Sequence, residues 1–302
     1  MKTALVTGAS GYVGKYLIPQ LRKNNYSVRC LARKKDNPYS YLRHYGCEIV
    51  YGDVRNKPSL ELAFSDVDIV IHLAAITKNN DPYIEEVNVA GTKNIIELCK
   101  KNKIKKIVFL SSTAAIKAID LYGKSKKHAE ELITRSGLPY TILRPGISYS
   151  EDAPMLNKII RINRKLPFFT PIIGDGKYPI NPVYIDDVIS AIILVLSHKN
   201  TVGKTYTIVG PENISFNNFI DVINKHIGIK RKKIHIPFYL FYAIAGFLDR
   251  LINNHLISRS SLQALRIRNK YDIDLAQKDF NYNPIGFDEG MAIIKDRLNN
   301  GK

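Results

Sequence analysis

Tyr122 and Lys126 stand four residues apart in Tyr122-Gly123-Lys124-Ser125-Lys126, a spacing that puts both side chains on one face of a helix. A tyrosine with an ordinary pKa near 10 is a poor acid/base at neutral pH, but an adjacent ammonium favours phenolate and can lower that pKa by roughly 1–3 units. One helical turn can therefore make a proton shuttle. The same pattern also arises by chance in a chain with 18 Tyr and many Lys, so it needs a context. Just upstream, Ser111-Ser112-Thr113 closes an apolar run, and a hydroxyl there can hydrogen-bond a carbonyl or alcohol and align it with Tyr122, or merely cap a strand end.

A second chemical element lies near the start, where Thr7-Gly8-Ala9-Ser10-Gly11-Tyr12-Val13-Gly14 sets three glycines at a three-residue spacing after the run Ala4 to Val6. Glycine permits a tight turn and close backbone approach, and the following helix offers unpaired N–H groups to a pyrophosphate. With a strand before it and a helix after it, the turn reads as a dinucleotide site built from Gly8, Ser10, Gly11, Tyr12, Val13 and Gly14. An NAD-preferring site usually has an acid at the end of the second strand. This chain has Leu31-Ala32-Arg33-Lys34-Lys35, and Arg33 and Lys34 would attract a 2′-phosphate, so NADP(H) is favoured over NAD(H). Asp36 nearby keeps a solvated basic loop as the other reading. Asp53-Val54 can hold an adenine and Ala74-Ala75 can pass beneath the cofactor, although both pairs also suit plain packing.

These groups need a frame. Short β-branched runs at Ala4 to Val6, Ser27 to Leu31, Glu48 to Tyr51, Ile69 to Leu73, Lys106 to Leu110 and Tyr140 to Leu143 alternate with helical patterns such as Ile84 to Lys101, where Val87, Ile95 and Leu98 form an apolar stripe. That alternation marks βαβ units on a parallel sheet, and the right-handed crossover rule leaves a doubly wound sheet as the simplest topology. After Arg144-Pro145-Gly146 the rhythm loosens into a basic helix over Pro154 to Lys165, with Lys158, Arg161 and Lys165 on one face, then a Pro/Gly-rich stretch, then Val183-Tyr184-Ile185-Asp186-Asp187 and an apolar helix to Leu196.

The 302 residues are 45% hydrophobic and 24% charged, which excludes a disordered chain. Lys and Arg number 45 against 27 Asp and Glu, a net charge of +18. Basic clusters at Lys100 to Lys106 and Lys230 to Lys233 lack aromatic interleaving, so solvated surface charge is preferred and no nucleic-acid partner is expected. No apolar run approaches the roughly 20 residues that span a bilayer, and glycines interrupt the N-terminus before any signal-peptide core, so a soluble, unprocessed protein is expected. Cys30, Cys47 and Cys99 suggest neither a disulfide framework nor a metal site, and a cytoplasmic, reducing setting fits. The apolar stretch Ile236 to Leu248, directly after a basic run, reads as a packed helix, or else as a peripheral membrane contact or a lipophilic portal.

The order Thr7 to Gly14, Asp53-Val54, His72-Leu73-Ala74-Ala75, Asn88-Val89-Ala90-Gly91-Thr92, Ser111-Ser112, Tyr122/Lys126, Arg144-Pro145-Gly146 and Val183 to Val188 resembles the extended short-chain dehydrogenase/reductases, the NAD(P)-dependent epimerase/dehydratase group. The resemblance covers most of the chain. It implies an α/β fold with a doubly wound parallel sheet (Rossmann) and a smaller, discontinuous C-terminal substrate domain. The expected division is 1–150 with 180–210 returning to it, against 151–179 and 211–302. The resemblance also implies that Tyr122 is the acid/base, that Lys126 binds the nicotinamide ribose while tuning Tyr122, and that Ser112 orients the substrate with Thr113 in reserve. Leu73 and Asn88 join the cofactor contacts and Arg144 and Lys177 the substrate side, while the basic stripe of Lys158, Arg161 and Lys165 either helps to hold a substrate diphosphate through Arg161 or is a solvated face.

Two departures from that group matter. Only ten positions separate Ser112 from Tyr122, similar to the branch of 4,6-dehydratases acting on UDP-hexosamines, yet Thr113-Ala114 replaces the acid and lysine that elimination of water needs. Gly174-Asp175-Gly176-Lys177 stands where sugar-nucleotide enzymes often carry an Arg-Asp or Arg-Glu pair. The expectation is therefore a reductase or epimerase working by hydride transfer at a carbonyl/carbinol carbon of a small-molecule substrate, a nucleotide-linked sugar. A non-catalytic scaffold, a reductase of a lipophilic ketone, a homodimer and a membrane-peripheral location stay open as alternatives.

Overall fold

The computed structural model describes residues 1–33, 39–166, 168–240 and 270–300. Its strands are β1 (Lys2–Thr7), β2 (Tyr26–Ala32), β3 (Glu48–Tyr51), β4 (Ile69–His72), β5 (Lys106–Leu110), β6 (Tyr140–Pro145), β7 (Ile147–Tyr149), β8 (Phe169–Ile173), β9 (Pro179–Ile180), β10 (Pro182–Tyr184), β11 (Lys204–Ile208), β12 (Ile214–Ser215) and β13 (Lys232–Ile236). Seven of them form one sheet in the order β11-β6-β5-β4-β1-β2-β3, with each neighbouring pair parallel. The strand order reverses beside β1, the position at which ligands bind in open α/β sheets. Every residue of β4 and β5 is buried, as strands covered on both faces require.

The helices that position the candidate site are α1 (Tyr12–Lys23), α2 (Tyr39–His44), α3 (Gly91–Lys101), α4 (Ala114–Lys117) and α5 (Leu121–Thr134). A π-helical turn, Glu86–Ala90, leads into α3 within the stretch that the apolar stripe marked as helical. Further on come α6 (Pro154–Lys165), α7 (Ile185–Ser197) and α8 (Phe216–His226).

Two units divide the chain. The first holds Met1–Pro145, Ile185–Ile208 and Ile273–Tyr282. It differs from the sequence ranges at three places, each for a local reason. β7 pairs in parallel with β10 and not with the large sheet, so both fall in the second unit. The segment 273–282 joins the first unit because Asp279 accepts hydrogen bonds from Lys204 (2.7 Å) and from the Tyr206 hydroxyl (2.6 Å) on β11. Phe280 then packs edge-on against Tyr206 with ring centroids 5.0 Å apart.

The second unit contains three two-stranded sheets, β7 with β10, β8 with β13 and β9 with β12. Its aromatic core stacks Phe219 of α8 on Phe287, 4.7 Å between centroids, and sets Tyr149 edge-on to the same ring at 4.9 Å. Among the described residues no helix is long and apolar enough to cross a membrane. The three cysteines are free thiols, with Cys30 and Cys99 buried. The apolar stretch Ile236 to Leu248 falls from 241 onward outside the described residues.

Phe280 is 1% exposed and anchors the late segment to β11. Phe280→Ala should lower unfolding free energy by about 3–5 kcal/mol, the usual cost of a large aromatic cavity. Urea unfolding checks this, and a loss below about 1 kcal/mol would show that the segment contributes little to the first unit.

Candidate active site

The turn between β1 and α1 is held by backbone contacts that leave no room for a side chain. Gly8 has φ +69°, and a Cβ on it would meet Ala74 N at 2.7 Å. A Cβ on Gly14, in the first turn of α1, would lie 2.3 Å from the Ala9 carbonyl oxygen. The Gly11 N–H donates to the Gly8 carbonyl at 2.9 Å, and the Tyr41 hydroxyl braces the Ala9 carbonyl at 2.8 Å. Gly11 precedes α1, and no side chain caps the helix. A helix start of this kind is where backbone N–H groups meet an anion.

Beside this turn a cleft of about 200 Å³ is lined by Gly8, Ser10, Gly11, Arg33, Asp53, Val54, Leu73, Ala74 and Ala75. The glycine cradle, the uncapped helix start and the cleft together fit a nicotinamide dinucleotide. Tyr12, Val13 and Gly14 form the start of α1 and are not among the cleft residues, while Lys34 lies outside the described residues. Asp53 meets Arg55 through two close contacts, Nε at 3.0 Å and Nη2 at 2.7 Å. The Arg55 guanidinium, with Arg33 further off, holds the Asp53 carboxyl below the usual carboxylate range.

Asn88 is 1% exposed and its amide is fully engaged. It accepts from Ile76 N (2.7 Å) and donates to the Ile76 carbonyl (2.9 Å) and the Ser125 hydroxyl (2.9 Å). It ties the chain after β4 to α5 and does not reach into the cleft. A buried chain runs alongside it. The Thr92 hydroxyl donates to the Asn88 carbonyl at 2.6 Å and therefore accepts from His72 Nε2 at 3.0 Å. His72 Nδ1 then accepts from the Thr7 hydroxyl at 2.7 Å, and that oxygen receives the Ala74 N–H at 3.2 Å. Burial, and secondarily the Lys126 charge, pushes the His72 imidazole down to about 3, so it stays neutral and the direction of the chain is set. Sequence reasoning used His72 only as part of a motif.

Asp120 caps α5 by accepting from Gly123 N at 2.7 Å and from Asn79 Nδ2 at 2.8 Å. The Asn79 side-chain Oδ1 accepts from Tyr122 N at 2.9 Å. An acid just ahead of a helix start is a legible cap signal, whereas Asn79, 43 residues away from Tyr122, has none. Lys126 is 2% exposed, with Nζ donating to the Leu110 carbonyl at 2.5 Å and lying 4.2 Å from the Phe109 ring centroid. Burial pushes its ammonium down to about 7 against some help from Glu130.

The Tyr122 phenol runs opposite to the sequence expectation. Burial drives it up to about 12, although the hydrogen bond with Ser112 lowers it and the Asp120 charge adds to the rise. The correction has a simple cause: Lys126 is turned toward the carbonyl end of β5, so desolvation of each group outweighs attraction between them. Ser112 Oγ also accepts from Ala114 N at 3.2 Å, and Thr113 opens α4 with its N–H on the Pro145 carbonyl at 3.0 Å. Next to them the Ser111 hydroxyl is buried without a hydrogen-bond partner.

Arg144, expected at the substrate, pairs with Glu130 of α5 through Nε at 2.9 Å and Nη2 at 2.6 Å. That pairing orients α5 against β6. Arg161 on α6 and Lys177 after β8 are both exposed and belong to the second unit. On the expected basic stripe, Lys158 is partly buried and its ammonium is pushed down by that burial and by Arg161.

A family model for the NAD dependent epimerase/dehydratase family matches residues 4–209. A protein of Methanocaldococcus jannaschii named "Putative UDP-glucose 4-epimerase" is 33% identical over 263 residues, covering 76% of this chain and 84% of the relative. The sterol-4-alpha-carboxylate 3-dehydrogenase, decarboxylating, of Mus musculus is 26% identical, covering 94% of this chain and 87% of its own length. Among solved structures, the UDP-glucuronic acid 4-epimerase from Bacillus cereus in complex with UDP-glucuronic acid and NAD superposes with a TM-score of 0.77 at 21% identity, covering 99% of this chain and 100% of that one.

The Lys126 environment has a measurable pH signature. Below about pH 7 the folded and unfolded chains both carry the proton, and the full burial penalty is present. Between that value and the ordinary lysine range the unfolded chain holds a proton the folded chain has lost, so this residue's contribution to stability rises with pH. The unfolding free energy of Lys126→Met minus that of the natural chain should therefore be more favourable at about pH 6 than at about pH 9 in urea titrations; the reverse trend would mean that the ammonium is not desolvated.

Proposed function

The chain belongs to the NAD-dependent epimerase/dehydratase family, and on that premise we propose that it acts as a reductase or epimerase by hydride transfer at the carbonyl/carbinol carbon of a nucleotide-linked sugar. One observation carries the reading: Ser112 stands at the carboxyl edge of β5 close enough to the Tyr122 phenol to lower its pKa, with Lys126 one helical turn on, in the unit that also holds the glycine-lined cleft.

The nicotinamide dinucleotide, when bound, supplies or accepts the hydride. The protein's share is positioning and proton movement. Ser112 Oγ holds the substrate oxygen, and Tyr122 Oη gives it a proton or takes one from it. A phenol pushed up to about 12 is protonated at neutral pH, which suits donation to a carbonyl. Lys126 would hold the nicotinamide ribose hydroxyls, and Gly8, Ser10, Gly11 and the start of α1 would hold the pyrophosphate. Thr113, next to Ser112, is the proposed further substrate contact in this unit. Thr113-Ala114, in place of an acid and a lysine, argues against elimination of water. The intact Ser112, Tyr122 and Lys126 argue against a scaffold without turnover.

An NADP(H) preference is the reading that Arg33 supports, since it lines the cleft where an acid would favour NAD(H). A charge-assisted contact to a 2′-phosphate is worth roughly 1.5–3 kcal/mol, which corresponds to a ten- to hundredfold preference for NADPH over NADH. Fluorescence titration of both cofactors decides it, and equal affinities would reject the preference. Tyr122→Phe should cut turnover of a UDP-, GDP- or dTDP-sugar by about 10²–10⁴-fold and leave NADPH affinity near normal. Retained turnover in that variant would assign the proton to another group.

A further inference from the structure

The second unit carries a patch that the proposed chemistry does not use. The last turn of α6 exposes Arg164 and Lys165, and Phe168 follows at 84% exposure. Lys230 and Lys232 are exposed where the chain enters β13. These two stretches are neighbours, because Lys232 pairs in register with Phe169 and Arg231 donates to the carbonyls of Asn163 and Leu166 at the end of α6. Arg231 is thus consumed as a strut, and the four cations around it face outward. Helix α6 contains no acidic residue. Among the described residues no carboxylate pairs with Arg164, Lys165, Lys230 or Lys232, while the nearby Lys233 is matched by Asp221 at 2.7 Å.

We propose that this end of the second unit docks on an anionic lipid bilayer, with Phe168 entering the headgroup boundary and Arg164, Lys165, Lys230 and Lys232 meeting the lipid charges. Charge complementarity carries the choice of partner: a phenyl ring this exposed, set among four uncompensated cations on a chain of net charge +18, gains an apolar medium and counter-charge together only at such a surface. Each basic residue near an anionic leaflet is worth about fivefold in partitioning. Nucleic acid would need successive exposed aromatic platforms, whereas Phe169 beside Phe168 is half-buried in β8. The inference is independent of the reaction assigned to the first unit.

Sedimentation of the full chain with vesicles tests it. Binding to phosphatidylcholine vesicles containing about 30% phosphatidylserine at about 50 mM salt should exceed binding to pure phosphatidylcholine at least tenfold and fall away at about 500 mM, where screening is within a few ångströms. Arg164→Glu with Lys230→Glu should lower the binding at least tenfold, and Phe168→Ser should weaken it severalfold, with circular dichroism spectra unchanged in both. Equal sedimentation with neutral and anionic vesicles, wild-type binding by the charge-reversed protein, or tighter binding to a single-stranded oligonucleotide than to the anionic vesicles would each overturn the proposal.

Discussion

The close approach of Gly8 to Ala74 is the constraint on which the candidate site depends. Two neighbouring parallel strands, β1 and β4, end side by side, and the turn leaving β1 must pass over the chain leaving β4 with no atom between them. Only a residue without a Cβ and with positive φ meets both conditions at that point. The turn then points α1 at the cleft, and Ala74 carries its N–H into the Thr7–His72–Thr92 chain that fixes the π-helical turn before α3. Widening that contact would move the glycine turn, the floor of the cleft and Asn88 together.

Desolvation governs the acid–base groups. Lys126, Tyr122 and His72 are each displaced toward the neutral form, to about 7, about 12 and about 3, because the interior disfavours charge on all three. A neutral His72 can only relay hydrogen bonds in one direction, so it works as a fixed strut. The phenol and the ammonium, by contrast, keep their protons or lose them according to how deeply they are buried, each held away from its charged form. Arg144 with Glu130 follows the other rule for buried charge, in which a bidentate partner compensates the loss of water.

Much of this frame was legible in the residues themselves. The six β-branched runs named from the sequence coincide with β1 to β6, and the glycine triplet, the strand-end hydroxyls and the Tyr122/Lys126 pair were readable because each depends on neighbours a few positions away. Local periodicity reports which face of a strand or helix is apolar, and parallel strands with crossover helices leave few ways to assemble.

What the sequence alone determined, then, is the doubly wound sheet and the chemical types available at its carboxyl edge. Only the tertiary structure decided the partner of each polar group: that Asn88 clamps Ile76 and Ser125, that Arg144 faces Glu130, that Lys126 turns to Leu110, that Asn79 steadies the helix carrying Tyr122, and that residues 273–282 return to β11 through Asp279. Such pairings join positions far apart in the chain, and the burial that shifts a pKa is a sum over everything packed around a group. Neither quantity has a local imprint in the order of residues.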